Sequence, residues 1–188
     1  MKKLITILFM LIATVSFAQL TTNPDTVCFN ATGSIYQVPS LGPGHTYTWT
    51  VSAPGTITSG VGTNSITVNW NTLPPGLNTN AVTVYATNTA TGCQSTPITL
   101  NVFVLQIVPT ITAIGPFCAS NPCVTLVGTP AGGTWSGTGV VVDQFCSTTS
   151  GTGTFNITYT ITQNGCTFTA TTTVTVNPAP ILSPISHN

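Results

Sequence analysis

The chain has 188 residues and only 2% of them are charged, against about 25% in an ordinary soluble domain. Arginine and glutamate are absent, the lysines are Lys2 and Lys3, and the acids are Asp25 and Asp143. Clusters of cations that displace counterions from phosphate are therefore missing, which excludes nucleic-acid binding and arginine recognition of anions.

Residues 1–18 read as a secretory signal peptide. Lys2 and Lys3 precede an apolar run from Leu4 to about Val15, and small residues lead to a cut after Ala18. The run is too short for a stable span, and no later segment reaches about 18 apolar residues, so no membrane span is expected. Cleavage would leave Gln19 rather than a cysteine, which argues against a lipoprotein anchor. The mature chain then carries no lysine or arginine, and its location is expected to be secreted, at the cell surface.

Short alternating runs follow, punctuated by Gly, Pro and Asn, and helical periodicity is missing. This is the all-β signature. In "TYTWTV", Tyr47, Trp49 and Val51 oppose Thr46, Thr48 and Thr50. "SITVNW" alternates Ile66, Val68 and Trp70; "AVTVYATN" gives Val82, Val84 and Ala86; "ITLNVFV" gives Ile98, Leu100, Val102 and Val104. Strict period two means one buried face and one exposed face. On this reading Trp49 and Trp70 belong to the core, while Trp135, in "AGGTWSGTG", is harder to place.

At "VFVLQIVPTI" the alternation fails, and a boundary between two domains is expected near Leu105 to Pro109. Phe103 and Leu105 need cover, from the neighbouring domain or from a neighbouring molecule. Beyond the boundary, Phe155, Ile157, Tyr159 and Ile161 share a face. After Asn164-Gly165, Cys166, Phe168, Ala170, Val174 and Val176 share another. Asn-Gly between alternating runs predicts a hairpin, because both residues tolerate positive φ. Its second face is almost all threonine.

Six cysteines, Cys28, Cys93, Cys118, Cys123, Cys146 and Cys166, form an even set in an exported chain and are expected to form disulfides. Cys118 and Cys123 have no second pair at zinc-like spacing, so no metal or other cofactor is expected. Catalysis lacks parts as well. Asp25 is placed in an N-terminal tail, Asp143 follows a valine run, and His45 and His187 read as turn or terminal residues. No carboxylate pair or nucleophile elbow is evident. The chain is not expected to be an enzyme.

"YTWTVSAPGTITSGVGTNSITVNW" (47–70) with "VTVYATNTATGC" (82–93) resembles the PKD-like module of secreted Bacteroidota proteins. "LVGTPAGGTWSGTGV" (126–140) with "GTGTFNITYTITQNGCTFTATTTVTV" (151–176) is similar to the Ig-like repeats of large surface adhesins of the same bacteria. The resemblance implies two tandem Ig-like (PKD-like) antiparallel β-sandwich domains, at 19–106 and 107–178, with a Pro-rich tail at 179–188. It also implies no catalytic residues. It pairs Cys28 with Cys93 and Cys118 with Cys166, which leaves Cys123 with Cys146; among the last four, three pairings stay open. "DTV" resembles a short O-glycosylation motif of these proteins and makes Thr26 a candidate site. The chain departs from the family in having two modules rather than a long array, and in ending without a sorting domain.

An uncharged β surface favours association, since natural sheets protect their edges with charge or proline. Threonine suits a permanent neighbour: its methyl packs and its hydroxyl bonds without burying a charge. The leading expectation is a self-associating subunit of a surface fibre or adhesin-like layer, joined head-to-tail to copies of itself. Phe103, Leu105, Ile181, Leu182 and Ile185 are the candidate contacts. The alternatives are a monomeric glycan-binding module and a fragment of a longer adhesin.

Overall fold

A computed structural model describes residues 24–182 together with Pro184 and His187. The first half contains β1 (Asp25–Cys28), β2 (Ser34–Gln37), β3 (His45–Val51), β4 (Thr56–Ser59), β5 (Ser65–Asn69), β6 (Gly76–Asn88) and β7 (Ile98–Leu105). The second half contains β8 (Thr110–Ile111), β9 (Phe117–Cys118), β10 (Val124–Thr125), β11 (Gly128–Thr129), β12 (Thr134–Gly137), β13 (Val140–Val141), β14 (Gln144–Phe145), a single turn of helix α1 (Ser147–Ser150), β15 (Gly153–Gln163) and β16 (Cys166–Asn177).

In the first half a sheet ordered β1-β7-β6-β3 faces one ordered β2-β5-β4. Between them lies a core that includes Tyr36, Ile66, Val68, Trp70, Leu73, Val82, Val102 and Val104. The alternation explains most of it, because Tyr36, Ile66, Val68, Val82, Val102 and Val104 sit at the apolar phase of their strands; Trp70 continues the phase of β5 one residue past its end, and Leu73 comes from the segment before β6. The second half builds on β12-β15-β16-β9, with small sheets β10-β14-β13 and β8-β11. Its core contains Phe117, Leu126, Phe145, Ile157, Val174 and Val176. The fold is thus two tandem β-sandwich domains, and among the described strands none pairs across Leu105–Thr110.

The sheets are not purely antiparallel. In each half an early strand runs parallel to the last one: β1 beside β7, and β9 beside β16. These strands enter each sandwich at the same end as the last strand does, so a hairpin cannot join them. Asp25 is consequently not in a tail. It lies in β1, opposite Val102.

The β15–β16 hairpin forms as its sequence requires. Asn164 and Gly165 take φ of 50° and 78°, the left-handed pair that a type I′ turn demands. Cross-strand partners on its outer face are Thr154–Thr175, Asn156–Thr173, Thr158–Thr171, Thr160–Thr169 and Thr162–Thr167. The hydroxyls of Thr158 and Thr171 are 3.3 Å apart, and those of Thr162 and Thr167 are 3.4 Å apart. The inner face meets Trp135 of β12, whose ring centroid is 4.5 Å from that of Tyr159.

Of the three expected pairs the structure keeps Cys123–Cys146 and replaces the other two. Cys28 bonds to Cys166, and Cys123 to Cys146, while Cys93 and Cys118 are free and exposed. Strand direction gives the reason. Cys166 opens the 12-residue β16, whereas Cys118 lies beside Asn177, its last residue; at ~3.3 Å per residue they are roughly 36 Å apart. Cys28 lies beside Leu105, the last residue of the 8-residue β7, and Cys93 precedes the first, so they are separated by more than about 20 Å. Cys166 is buried, as its phase demands, but its partner comes from the other half of the chain.

Candidate assembly site

Each half has one end at the junction and one end away from it. Cys28 and the end of β7 mark the junction end of the first half, and the hairpin turn before Cys166 marks that of the second. The far end of the first half carries the start of β3, the end of β6 and the loop containing Cys93. The far end of the second carries Cys118 and the root of the C-terminal tail.

At the far end of the first half the sandwich core runs out to the surface. Tyr47, Val84 and Ala86 form a small buried cluster there, with Val38 and Trp49 packed against it. It opens into a cleft of about 290 Å³ whose lining includes Leu41 and Ile98, both largely exposed. The walls are tied down. The Tyr47 hydroxyl accepts a hydrogen bond from the Leu41 N–H at 2.7 Å, and the N–H of Thr89 donates to the Gly44 carbonyl at 2.8 Å. Cys93 lies two residues before Ser95, which lines the cleft: the Cys93 carbonyl accepts from the N–H of Asn88, and the N–H of Ser95 donates to the carbonyl of Ala86.

At the other end Asn177 pairs with Cys118, and the N–H of Ala119 donates to the Asn177 carbonyl at 2.9 Å. The chain then leaves the sheet. Ile181 is 95% exposed and Leu182 is 92% exposed. Ile185 lies outside the described residues.

The remaining candidates are distributed elsewhere. Phe103 points away from the core of β7 and is partly exposed, whereas Val102 and Val104 beside it are fully buried. Leu105 is half-buried next to Cys28. Thr26 is exposed on β1, opposite Phe103. Trp70 is fully buried and Trp49 partly so, with its indole N–H donating to the Thr63 carbonyl. Trp135 is half-buried and lines a shallow depression with Gly132, Gly133, Asp143 and Tyr159. His45 opens β3 half-buried, and its Nδ1 has no protein partner.

Asp25 accepts a hydrogen bond from the Tyr36 hydroxyl at 2.9 Å, and that hydroxyl accepts one from the indole N–H of Trp70 at 3.0 Å. Burial, then the charge and hydrogen bond of Asp25, raise the Tyr36 phenol well above its usual range; the Trp70 bond opposes them and loses. The folded protein therefore keeps a proton that the unfolded chain releases near pH 10. This contribution to stability is present below about pH 10 and lost as pH rises above it. Tyr36→Phe should cost about 1–3 kcal/mol at neutral pH, because the Trp70 N–H loses its acceptor. It should also reduce the alkaline loss of stability, which urea titrations at about pH 7 and about pH 11 measure.

Among the described residues no group of histidine, cysteine and carboxylate side chains could hold a metal ion. No helix among them is long and apolar enough to cross a membrane.

Residues 14–102 match the model of the PKD-like domain family. The first half is thus similar to a PKD-like module in sequence. Among solved structures, Drosophila N-cadherin EC1-4 aligns at 13% identity and a TM-score of 0.40, over 85% of this chain and 48% of that one. The protocadherin GammaB4 extracellular domain aligns at 12% identity and a TM-score of 0.36, over 87% and 35%. Drosophila OTK extracellular domains 3-5 align at 13% and 0.36, over 82% and 59%. The chain therefore spans about half the length of the N-cadherin structure, 48%. A search of curated proteins found no match.

The cleft was hidden from sequence reasoning. Ile98 is in phase with the core, but Val84–Ile98 is the last pair of the β6–β7 ladder, so its side chain lies where the facing sheet has already ended. Leu41, in "SLGPGH", is the remaining signal: a lone large aliphatic residue in a turn.

Proposed function

We propose that the chain is a secreted extracellular structural protein, a non-catalytic self-associating subunit of a cell-surface fibre or adhesin-like layer. In this reading residues 1–18 are a removed signal peptide, 19–106 and 107–178 are the two modules, and 179–188 is a tail that engages the next copy. The observation that carries it is the tail. Ile181 and Leu182 are almost fully exposed in a chain whose only acids are Asp25 and Asp143 and which has no lysine or arginine after Lys3. Apolar side chains so placed favour leaving water for a protein surface. Prolines at 178, 180 and 184 hold the segment extended, which lowers the entropy lost on docking. A contact between unlike ends does not close on itself and propagates into a filament.

Deleting residues 181–188 is expected to leave both sandwiches folded, with unchanged circular dichroism and cooperative unfolding, and to abolish long assemblies in sedimentation. Assemblies of normal length from the truncated protein would reject the tail as the contact.

One observation favours glycan binding as a second reading. Trp135 and Asp143 share an open depression, where an aromatic face and an acceptor can take a sugar ring. Monodisperse particles that bind polysaccharide, and lose that binding on Trp135→Ala, would support this reading over the first. The chain as a piece of a longer adhesin would give neither result on its own.

A further inference from the structure

We propose that Cys118 of one copy and Cys93 of the next form an interchain disulfide that locks the head-to-tail contact, with Ile181 and Leu182 of the first copy seated in the cleft between Leu41 and Ile98 of the second. This rests on the self-association reading and specifies its receptor and its covalent bond.

Two independent observations meet here. The first is the set of unpaired thiols. Four of the six cysteines are bonded within the chain, and the remaining two are exposed. They stand at the two ends away from the junction disulfide, beside the last residue of β16 and before the first residue of β7. The second is the apolar complementarity of the same two ends. The tail leaves the sheet at Asn177, the residue paired with Cys118. The cleft includes Ser95 in its lining, two residues from Cys93. Seating the tail in the cleft therefore brings the end of β9, with Cys118, and the loop that holds Cys93 to the same interface. From Asn177 to Ile181 an extended chain covers roughly 13 Å, so the apolar pair stands well clear of the sheet that holds Cys118.

The occupant is a second copy because this chain supplies both halves of the contact. The cleft is lined by Val38, Tyr47, Val84 and Ala86, with Leu41 and Ile98 exposed. Neither lysine nor arginine nor glutamate lies near it, since the described chain has none. Its hydrogen-bonded loops make it preformed, so little ordering is lost on binding.

The bond forms by thiol–disulfide exchange with an oxidised dithiol carrier, a protein or small-molecule disulfide. The Cys93 thiolate attacks one carrier sulfur, the carrier S–S bond breaks, and the second carrier sulfur leaves as a thiolate. The neighbouring copy's Cys118 thiolate then attacks the Cys93 sulfur and displaces the first carrier sulfur. Two protein thiols are oxidised, the carrier gains two electrons, and the two protons end on its thiols.

The test is non-reducing electrophoresis of the full mature chain incubated with oxidised glutathione, beside electron microscopy of the same sample. The expected result is a ladder of multimers that collapses to monomer on reduction. Chymotryptic mapping, needed because the mature chain lacks lysine and arginine, should yield a Cys93–Cys118 peptide. Cys93→Ser and Cys118→Ser should each lose the ladder, and mixing the two variants should restore a dimer and nothing longer. Leu182→Asp should lose the ladder with both thiols present. Monomer alone, a Cys93–Cys118 link within the monomer band, or links between like cysteines would overturn the proposal. Filaments seen without any ladder would reject the staple and leave self-association standing; absence of both would reject both.

Discussion

Trp70→Ala is expected to destabilise the first sandwich by about 3–5 kcal/mol, a large fraction of what holds a domain of this size together. Trp70 is completely buried. Its ring meets Tyr36 edge-on, with centroids 6.0 Å apart. Truncation removes the transfer free energy of the largest side chain in that core and leaves a cavity that its strand neighbours cannot close. It also leaves the Tyr36 hydroxyl without the N–H that it accepts. Gly55 shows how closely the ring is held: a Cβ built there would lie 2.7 Å from a Trp70 ring carbon. Urea unfolding followed by near-ultraviolet circular dichroism should show the transition of the first half at markedly lower denaturant. The second half, whose core shares no residue with this one, should hold its midpoint. An unchanged first transition would mean that the indole is not the centre of the core.

The double variant Cys28→Ser/Cys166→Ser carries the other large effect. The bond joins residues separated by 138 positions and so closes a loop containing most of both cores. In the chain-entropy account, opening a loop of that length costs roughly 5 kcal/mol of stability. Among the described strands no ladder crosses between the halves, so the disulfide adds a covalent tie between them to the one made by the segment from Leu105 to Thr110. The variant should unfold at lower urea and lose the fixed spacing of its halves in small-angle scattering. Replacing both cysteines together avoids a stray thiol. A variant with the parent's midpoint and scattering profile would show that the junction is held by something else.

These outcomes also mark where sequence stopped being informative. Period-two alternation placed Tyr47, Ile66, Val68, Trp70, Val82, Ile157, Tyr159 and Val174 inside, and all are buried. The reason is local: a strand's two faces are decided by its own neighbours. Asn164-Gly165 specified its hairpin for the same reason, through two positive φ angles. Cysteine pairing is different in kind. Phase shows that Cys166 faces inward, but its partner depends on which strand ends meet at a junction between two sandwiches. Nothing local encodes that Cys28 stands at that junction while Cys118 stands at the far end of β16. The resemblance to single modules led toward bonds within each module; that held for Cys123–Cys146 and misled for Cys28, Cys93, Cys118 and Cys166. Asp25 was likewise misplaced, because its strand is defined by parallel pairing with β7, some 77 residues later in its register, and not by any pattern of its own. The apolar cleft follows the same rule: Leu41 and Ile98 are remote in sequence, and only the end of the facing sheet turns them into its rim.

Electron microscopy of the purified mature chain, oxidised and at several concentrations, tests the central claim most directly. The account predicts filaments with an axial repeat of one two-sandwich subunit, growing longer with concentration. Monodisperse particles of single-subunit size at every concentration would contradict it.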